Sequence, residues 1–520
     1  MKYKILLIIA FINLNIKAQE STVWNDYKKG APKGKETILP NFSFAGYKYS
    51  EVPLPKTDFK VFDVTEYGAI ANDSLSDKKA IKKAIAAAVK NRKGIVFFPK
   101  GKYHINTDED DHSPIIIKGS NIIFRGEGDT DEGSTLFFEN NLPPKDPKKF
   151  WTCPYAIQTT AGGGDDFITE VTSNATRESF EIKVKNASRL KKGDWIILKL
   201  LNNDKKLIEY DTKPLAVEPE WKTILNKGVQ VNERHQIASV KGNKIRFKEP
   251  IHYDVKKKHG WKIHRYAHVE TLGFENLLFE GNWKEKFKHH KSAKHDGGWS
   301  ILKISRAVNS WVKNCTFKNV NNAVSFSQAA YSTALSCDIK GNIGHSAIHA
   351  DGGSTGILLA DINDYAGMHH ATGVAGGSTA ATVIWRCKYP AHTSFESHAS
   401  QPRCTLFDNI EGGFFSGRAG GARQNLPNHG RHLVLWNYKA TSPGIPDFRF
   451  VATDSWYWRI VPPIVVGFHG NTTTFNTKEV QVLESLGQKV KPESLFEEQL
   501  KLRLGKLPDW IENIKKQQLN

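Results

Sequence analysis

The sequence predicts an all-β solenoid, a stack of coils closed at one end by a helix. Three observations lead there. The phrases VKNCTF and ALSCDI set Cys315 and Cys337 22 residues apart; ILLADI then repeats the phrase with Ala360 in place of cysteine, and VIWRCKY follows with Cys387. A unit of that length cannot bury its own apolar face, so successive units stack and share a core. Residues 61–105 carry an amphipathic helical pattern, and the strands after it come without helices, as a cap on the open end of a solenoid would. Five short strands of alternating polarity follow turns between 322 and 421.

The elements follow in order. Residues 1–18, MKYKILLIIAFINLNIKA, place Lys2 and Lys4 before an apolar run ending at a small residue, the pattern of a secretory signal peptide, so fold reasoning starts near Gln19. An N-terminal arm spans 19–58, and the cap with the first coils spans 59–160. In the cap, Ser74 with Asp77 suits a capping box, while Ile81, Ile85 and Val89 share a stripe with Ala84 and Ala88. The run IVFFP after Gly94 has the length of a buried strand. Residues 161–260 alternate as strands around a Gly242-Asn243 turn and read as a β-rich insertion, either a cleft wall or scaffolding. The main coils occupy 261–440 and a C-terminal extension 441–520.

Composition narrows the setting. Lys and Arg total 73 against 54 Asp and Glu, a formal charge of +19, which falls to +16 without Lys2, Lys4 and Lys17. Such a field draws polyanions. For an exported chain the expected partner is an anionic polysaccharide rather than nucleic acid, and no later apolar run is long enough to cross a membrane. The expected location is secreted or periplasmic, with surface association open. Oligomeric state is not legible. Five cysteines, an odd number without a CxxC pair, argue against a disulfide framework and for a buried ladder of small residues. The acidic clusters at 107–112 and 162–166 make calcium the one candidate ion, although neither has EF-hand spacing.

The phrase FDVTEYGAIANDSLSDKKAIKKAIAAA with GIVFFPKGKYHI resembles the N-terminal signature of the pectate-lyase-like superfamily. The segment from LPNHGRHLVLWNYKA through PPIVVGFHGNTTTFN to SLFEEQLKLRLGKLPDWI resembles an uncharacterised C-terminal domain attached to such proteins in secreted bacterial polysaccharide-active chains. The resemblance implies a right-handed parallel β-helix and a polysaccharide substrate. It transfers no catalytic residue, because the motifs of the polygalacturonase-type hydrolases are missing from the coils and the carboxylate cluster of the calcium-dependent lyases is matched only in part.

Within the coils, aligning the strand after each turn gives an inward row of Val324, Ile348, Val374, Phe395 and Phe415. Two outward rows follow: Ser325, His349, Ala375, Glu396, Ser416 and Ser327, Asp351, Gly377, His398, Arg418. Ala375 and Gly377 make a floor for a sugar ring, flanked by charged groups on both sides. The expected catalytic set is Glu396, His398, Asp351, His349 and Arg418. In a β-elimination, His398 or His349 removes the proton beside a uronic carboxylate and Arg418 neutralises that carboxylate. In a hydrolysis, Asp351 and Glu396 flank the bond at the spacing of about 6.5 to 9.5 Å that admits water, with Asp361, Asp364 or Asp408 as alternatives. His369 and His370, on the turn into the floor strand, are expected to contact substrate. Lys288 and Lys291, in the loop NWKEKFKHHKSAKHDGG, are expected to hold acidic groups as a flexible arm. Trp299, Trp311, Trp385 and Trp436 are candidates for stacking on sugars.

The reading is therefore an exported enzyme that cleaves a uronate-containing or sulfated polysaccharide, with β-elimination favoured over hydrolysis. A non-catalytic carbohydrate-binding β-helix is the rival from another class.

Overall fold

The computed structural model describes residues 19–415, 420–451 and 459–519. The expected signal peptide and Arg418 lie outside the described residues. Strands stack in parallel to build a parallel β-helix. Its longer wall runs from Val61–Asp63 to Val482–Glu484. The second wall stacks β1 (Ile115–Ile117), β2 (Ile157–Thr159), β3 (Ser300–Ser305), β4 (Asn322–Ser327), β5 (Ser346–Asp351), β6 (Gly373–Ala375) and β7 (Glu396–His398) in that order. Asn309, Asn314, Asn319, Asn409 and Asn437 bend the chain with φ between 47 and 55°. Asn tolerates this left-handed region better than branched residues do.

The interior is a set of ladders in which like side chains stack from coil to coil. Phe279 lies on Phe317 with ring centroids 5.1 Å apart and planes 7° apart, and Phe395 on Phe414 at 5.2 Å and 13°. Cys315, Cys337 and Cys387 belong to such a ladder, and all five cysteines are free thiols. One rung differs from expectation. Leu277 pairs with Cys315, and Cys337 with Ile362, whereas Ala360 pairs with Leu335, so isoleucine and not Ala360 continues the ladder towards Cys387.

The helix Lys78–Lys90 buries Ile81, Ala84, Ile85 and Ala88 against the first coils; the two isoleucines contribute about 1.5–3 kcal/mol each. The expected capping box does not form. Asp77 spends its carboxylate on the main-chain N–H groups of Ile70 and His104, both at 2.9 Å, and Ser74 sits at φ 63° in the left-handed region.

Between Phe167 and Arg265 an antiparallel six-stranded sheet with its own core of Ile196, Leu198, Val231, Trp261 and Ile263 stands beside the coils. At its centre His235, fully buried, lies between Glu233 at 3.1 Å and Glu249 at 3.6 Å. Burial opposes charge on this imidazole, but the two carboxylates win and hold it up at about 9. The sheet docks where β5 and β6 end: Asn232 Nδ2 donates to Ser378 Oγ at 3.0 Å and the Arg234 N–H to Thr355 Oγ1 at 3.1 Å.

The parallel ladder runs past residue 440, through Ile464–Val466 to Glu484. Only then does the chain fold back, placing the helix Leu495–Leu504 over Trp385 and Trp436. Asp408, fully buried, anchors that helix by accepting from Ser494 Oγ (2.6 Å) and from the N–H groups of Leu495 (3.2 Å) and Phe496 (2.8 Å). No helix among the described residues is long and apolar enough to cross a membrane.

Candidate functional site: a histidine-lined groove

Outward side chains of β3 to β7 face a cavity of about 200 Å³ lined by Asn322, Ser346, His349, Asp351, Ala375 and His398, with Trp151 and Asp296 at its edges. Strand pairing fixes the rows. Lys303, Ser325, His349, Gly373 and Glu396 stand in one, and Ser327, Asp351, Ala375 and His398 in the next. The expected rows hold in β4, β5 and β7 and slip by two residues in β6. The floor is therefore Gly373 and Ala375, while Gly377 lies beyond the strand in a turn at φ 77°, where an added Cβ would come 2.7 Å from the backbone of Gly352. Gly373 is required for a steric reason, since a Cβ there would approach the Glu396 carbonyl oxygen to 2.4 Å.

The expected residues take different stations. Asp351 is half-buried and accepts from Ser325 Oγ at 2.6 Å. His349 is 7 % exposed, and burial, with His398 adding to it, pushes its imidazole down to about 3. His398 is half-buried and lies under Gly420, whose hypothetical Cβ would meet its ring at 1.9 Å. Glu396 is fully buried beneath the floor. Its Oε2 lies 3.1 Å from His370 Nδ1, and its Oε1 accepts from the Gly420 N–H at 3.3 Å. His370 itself lines the groove.

Several expectations need correction. Asp361, Asp364 and Asp408 all lie away from the groove. Asp361 accepts from Gln518 Nε2 on the C-terminal helix at 2.6 Å, Asp364 takes the N–H groups of Gly367 and Met368 at 2.8 Å each, and Asp408 anchors the returning helix. Trp299, Trp311, Trp385 and Trp436 are interior residues, so none of them offers a face to sugar. Among the described residues the exposed indole is Trp151, 72 % accessible and lining the groove. In each acidic cluster one carboxylate is paired with a cation, Asp111 with Lys78 at 2.7 Å and Asp165 with Arg306. The loop 282–298 is pinned rather than a flexible arm, because Trp283, His295 and Asp296 are buried and Trp283 Nε1 donates to Ile343 O at 2.7 Å. Lys288 and Lys291 stay on its exposed side, Lys291 facing Glu285 at 3.6 Å.

That loop brings what the rows did not reveal. His289 lies with its ring 4.3 Å from His369 and 5.4 Å from both His345 and His370; His345 and His370 are 4.8 Å apart, and His370 and His398 5.3 Å. Burial, with its imidazole neighbours adding to it, pushes His345 well below its ordinary range. Asp296 accepts from the His290 N–H at 2.8 Å and meets His290 Nδ1 at 2.7 Å. The available signal was a pair of His-His doublets, at 289–290 and 369–370.

A parallel β-helix bearing a polar, imidazole-lined groove with an exposed indole is thus the class that fold and site define. Residues 61–146 match the family described as "Rhamnogalacturonase A/epimerase, pectate lyase-like", and residues 367–514 match "Domain of unknown function (DUF4955)". The pectate-lyase-like resemblance of the N-terminal phrase is thereby shown. No curated protein matches the chain. Similar solved structures include the tailspike gp49 from Pseudomonas phage LKA1, 11 % identical over 79 % of this chain and 71 % of that one, at a TM-score of 0.46. The DFA-IIIase of Arthrobacter chlorophenolicus A6, solved without its lid, is 11 % identical over 82 % and 92 %, at 0.38. The adhesin PfbA of Streptococcus pneumoniae is 11 % identical over 82 % and 89 %, at 0.37.

Proposed function

We propose that the protein cleaves an anionic polysaccharide in the groove over Gly373 and Ala375, by β-elimination. The observation that carries this is the pairing of an exposed indole, Trp151, with the imidazoles of His349 and His398 in one polar groove. The indole gives a sugar ring an apolar face to stack on. An unprotonated imidazole accepts the proton that elimination removes from the carbon beside a uronic carboxylate. His398, the more exposed of the ring nitrogens on the floor, is assigned as base, with His349 beside it. Glu396 acts on His370 rather than on substrate. Neutralisation of the substrate carboxylate falls to Lys303, two coils before His349 in the same row. The family of residues 61–146, with its rhamnogalacturonase and pectate-lyase-like description, supports a uronate-containing substrate. Secretion, read from residues 1–18, is part of the same proposal.

One observation favours hydrolysis as a second reading: two carboxylates, Asp296 and Asp351, line the same groove. Incubation with a panel of uronate-containing and sulfated polysaccharides separates the readings when reducing ends and the ultraviolet absorbance of an unsaturated uronate are followed together. Both signals rising, and a fall of about 100-fold or more in His398→Ala, is the result expected. Reducing ends without absorbance transfers the assignment to Asp296 and Asp351. Silence on all substrates overturns the catalytic proposal in favour of a binding protein.

A further inference from the structure

We propose that His289, His369 and His370 form a binding site for a divalent first-row transition ion such as Zn²⁺, open to the groove. One nitrogen from each of the three lies within 4.8 Å of the other two, and among the described residues no other group of three or more metal-ligating side chains converges in this way. Tetrahedral zinc with ligands at about 2.0–2.1 Å sets its donor nitrogens about 3.4 Å apart. The widest pair therefore closes by little more than 1 Å, within the reach of a side-chain rotation.

A second observation points to ligation. The buried Glu396 carboxylate lies 3.1 Å from His370 Nδ1, which places the ring proton on that nitrogen and makes Nε2 the acceptor. A carboxylate holding the far nitrogen of an imidazole in this manner is the usual outer shell of a histidine-bound metal. The rest of the pocket is consistent with it. The rings of His289 and His369 stack at 4.3 Å, and His370 stands nearly perpendicular to both, at 77° and 83°. Phe287 closes one side, 5.5 Å from His369. Asp296, buried and bound to His290, adds negative charge one residue from the site. Three nitrogen donors with an open face suit an ion of borderline softness and exclude the oxygen-seeking calcium and magnesium. Three protein ligands also leave the fourth position to water or to a substrate oxygen, the arrangement of catalytic rather than structural zinc. That the open position faces a sugar anion rests on the function proposed above; the binding of the ion does not.

The test therefore uses the metal alone. The full-length protein, dialysed against dipicolinate, is titrated with Zn²⁺ by calorimetry near neutral pH, and with Co²⁺, whose visible bands report tetrahedral nitrogen ligation. The result expected is one ion per chain, a rise in Tm on loading, and a loss of affinity of about 100-fold or more in His369→Ala and in His289→Gln, beyond what loss of an outer-shell partner costs. A melt of His289→Gln in chelator reads its folding cost without the ion, which separates lost ligation from lost folding. Absence of a stoichiometric ion, or binding undiminished in both variants, overturns the site. Stoichiometric binding by a protein that cleaves no polysaccharide would support the metal site while the substrate proposal falls.

Discussion

Replacing Glu396 by glutamine examines the link between the buried floor and the histidine cluster. The side chain has no exposed surface, and Gly373 packs against its backbone so closely that no methyl group fits between them. Glutamine matches it in size, so the change is one of charge and donor pattern. The carboxylate now accepts from Gly420 N–H at 3.3 Å and from His370 Nδ1 at 3.1 Å. In glutamine the amide oxygen must stay with Gly420, because an NH₂ group facing that N–H would set two donors against each other. The NH₂ then faces His370 Nδ1, which can only accept, and the ring proton moves to Nε2, the nitrogen required for ligation. Loss of such a partner costs 10- to 100-fold in metal affinity, about 1.4 to 2.8 kcal/mol. The fold loses at least the charge assistance of the hydrogen bond to His370, about 1 kcal/mol. Zinc calorimetry and a melt in chelator read the two quantities separately. An affinity within about threefold of the unaltered protein, with the fold intact, would refute the assignment of Glu396 as the residue that sets the His370 tautomer.

Gly373→Ala forces a Cβ to within 2.4 Å of the Glu396 carbonyl, and the resulting strain should cost about 1–3 kcal/mol and show as a lowered urea midpoint; an unchanged midpoint would mean that β6 and β7 lie farther apart. Trp151→Ala should leave Tm unaltered, since the indole is 72 % exposed, and raise KM up to about tenfold with kcat unchanged; a fall in kcat alone would contradict the stacking role. His235, raised from 6.5 to about 9 between its two glutamates, stabilises the fold fully below about pH 6.5 and loses that contribution as pH rises through about 9, a span worth about 3 kcal/mol. Urea denaturation across that range should show the decline, and His235→Gln should flatten it.

The sequence made the fold legible because a solenoid repeats its own evidence. Cysteine, isoleucine and phenylalanine recur at coil spacing and stack as ladders, and the cap helix announces itself by its stripe of Ile81, Ala84, Ile85 and Ala88. The two-residue slip in β6 was not legible for a reason built into strands. A slip of one residue exchanges inside for outside and would have betrayed itself in the pattern, but a slip of two preserves the face of every side chain. TGVAGGS offers small residues at each outward position, so both registers read as a sensible floor. Only the packing of Gly373 against Glu396 and of Gly377 against Gly352 distinguishes them. The alternative carboxylates failed differently: Asp364 and Asp408 have acceptor roles toward main-chain N–H groups that no local pattern displays.

The histidine cluster was the least legible part, because it joins segments that share no strand. His289 arrives on a loop about eighty residues before His369, and its position depends on Trp283 and His295, two buried residues inside a run that reads as solvated charge. What makes the assembly chemically coherent is that each segment brings a different kind of control. The loop supplies an imidazole that can be altered without disturbing the core. The turn into β6, held by the Asp364 carboxylate through the N–H groups of Gly367 and Met368, supplies His369 and His370 in fixed positions. The next coil supplies Glu396, which orients His370 from below. Stacked coils place these contributions one strand spacing apart, so an imidazole on one coil and a carboxylate on the next meet at hydrogen-bond distance without any loop having to reach between them.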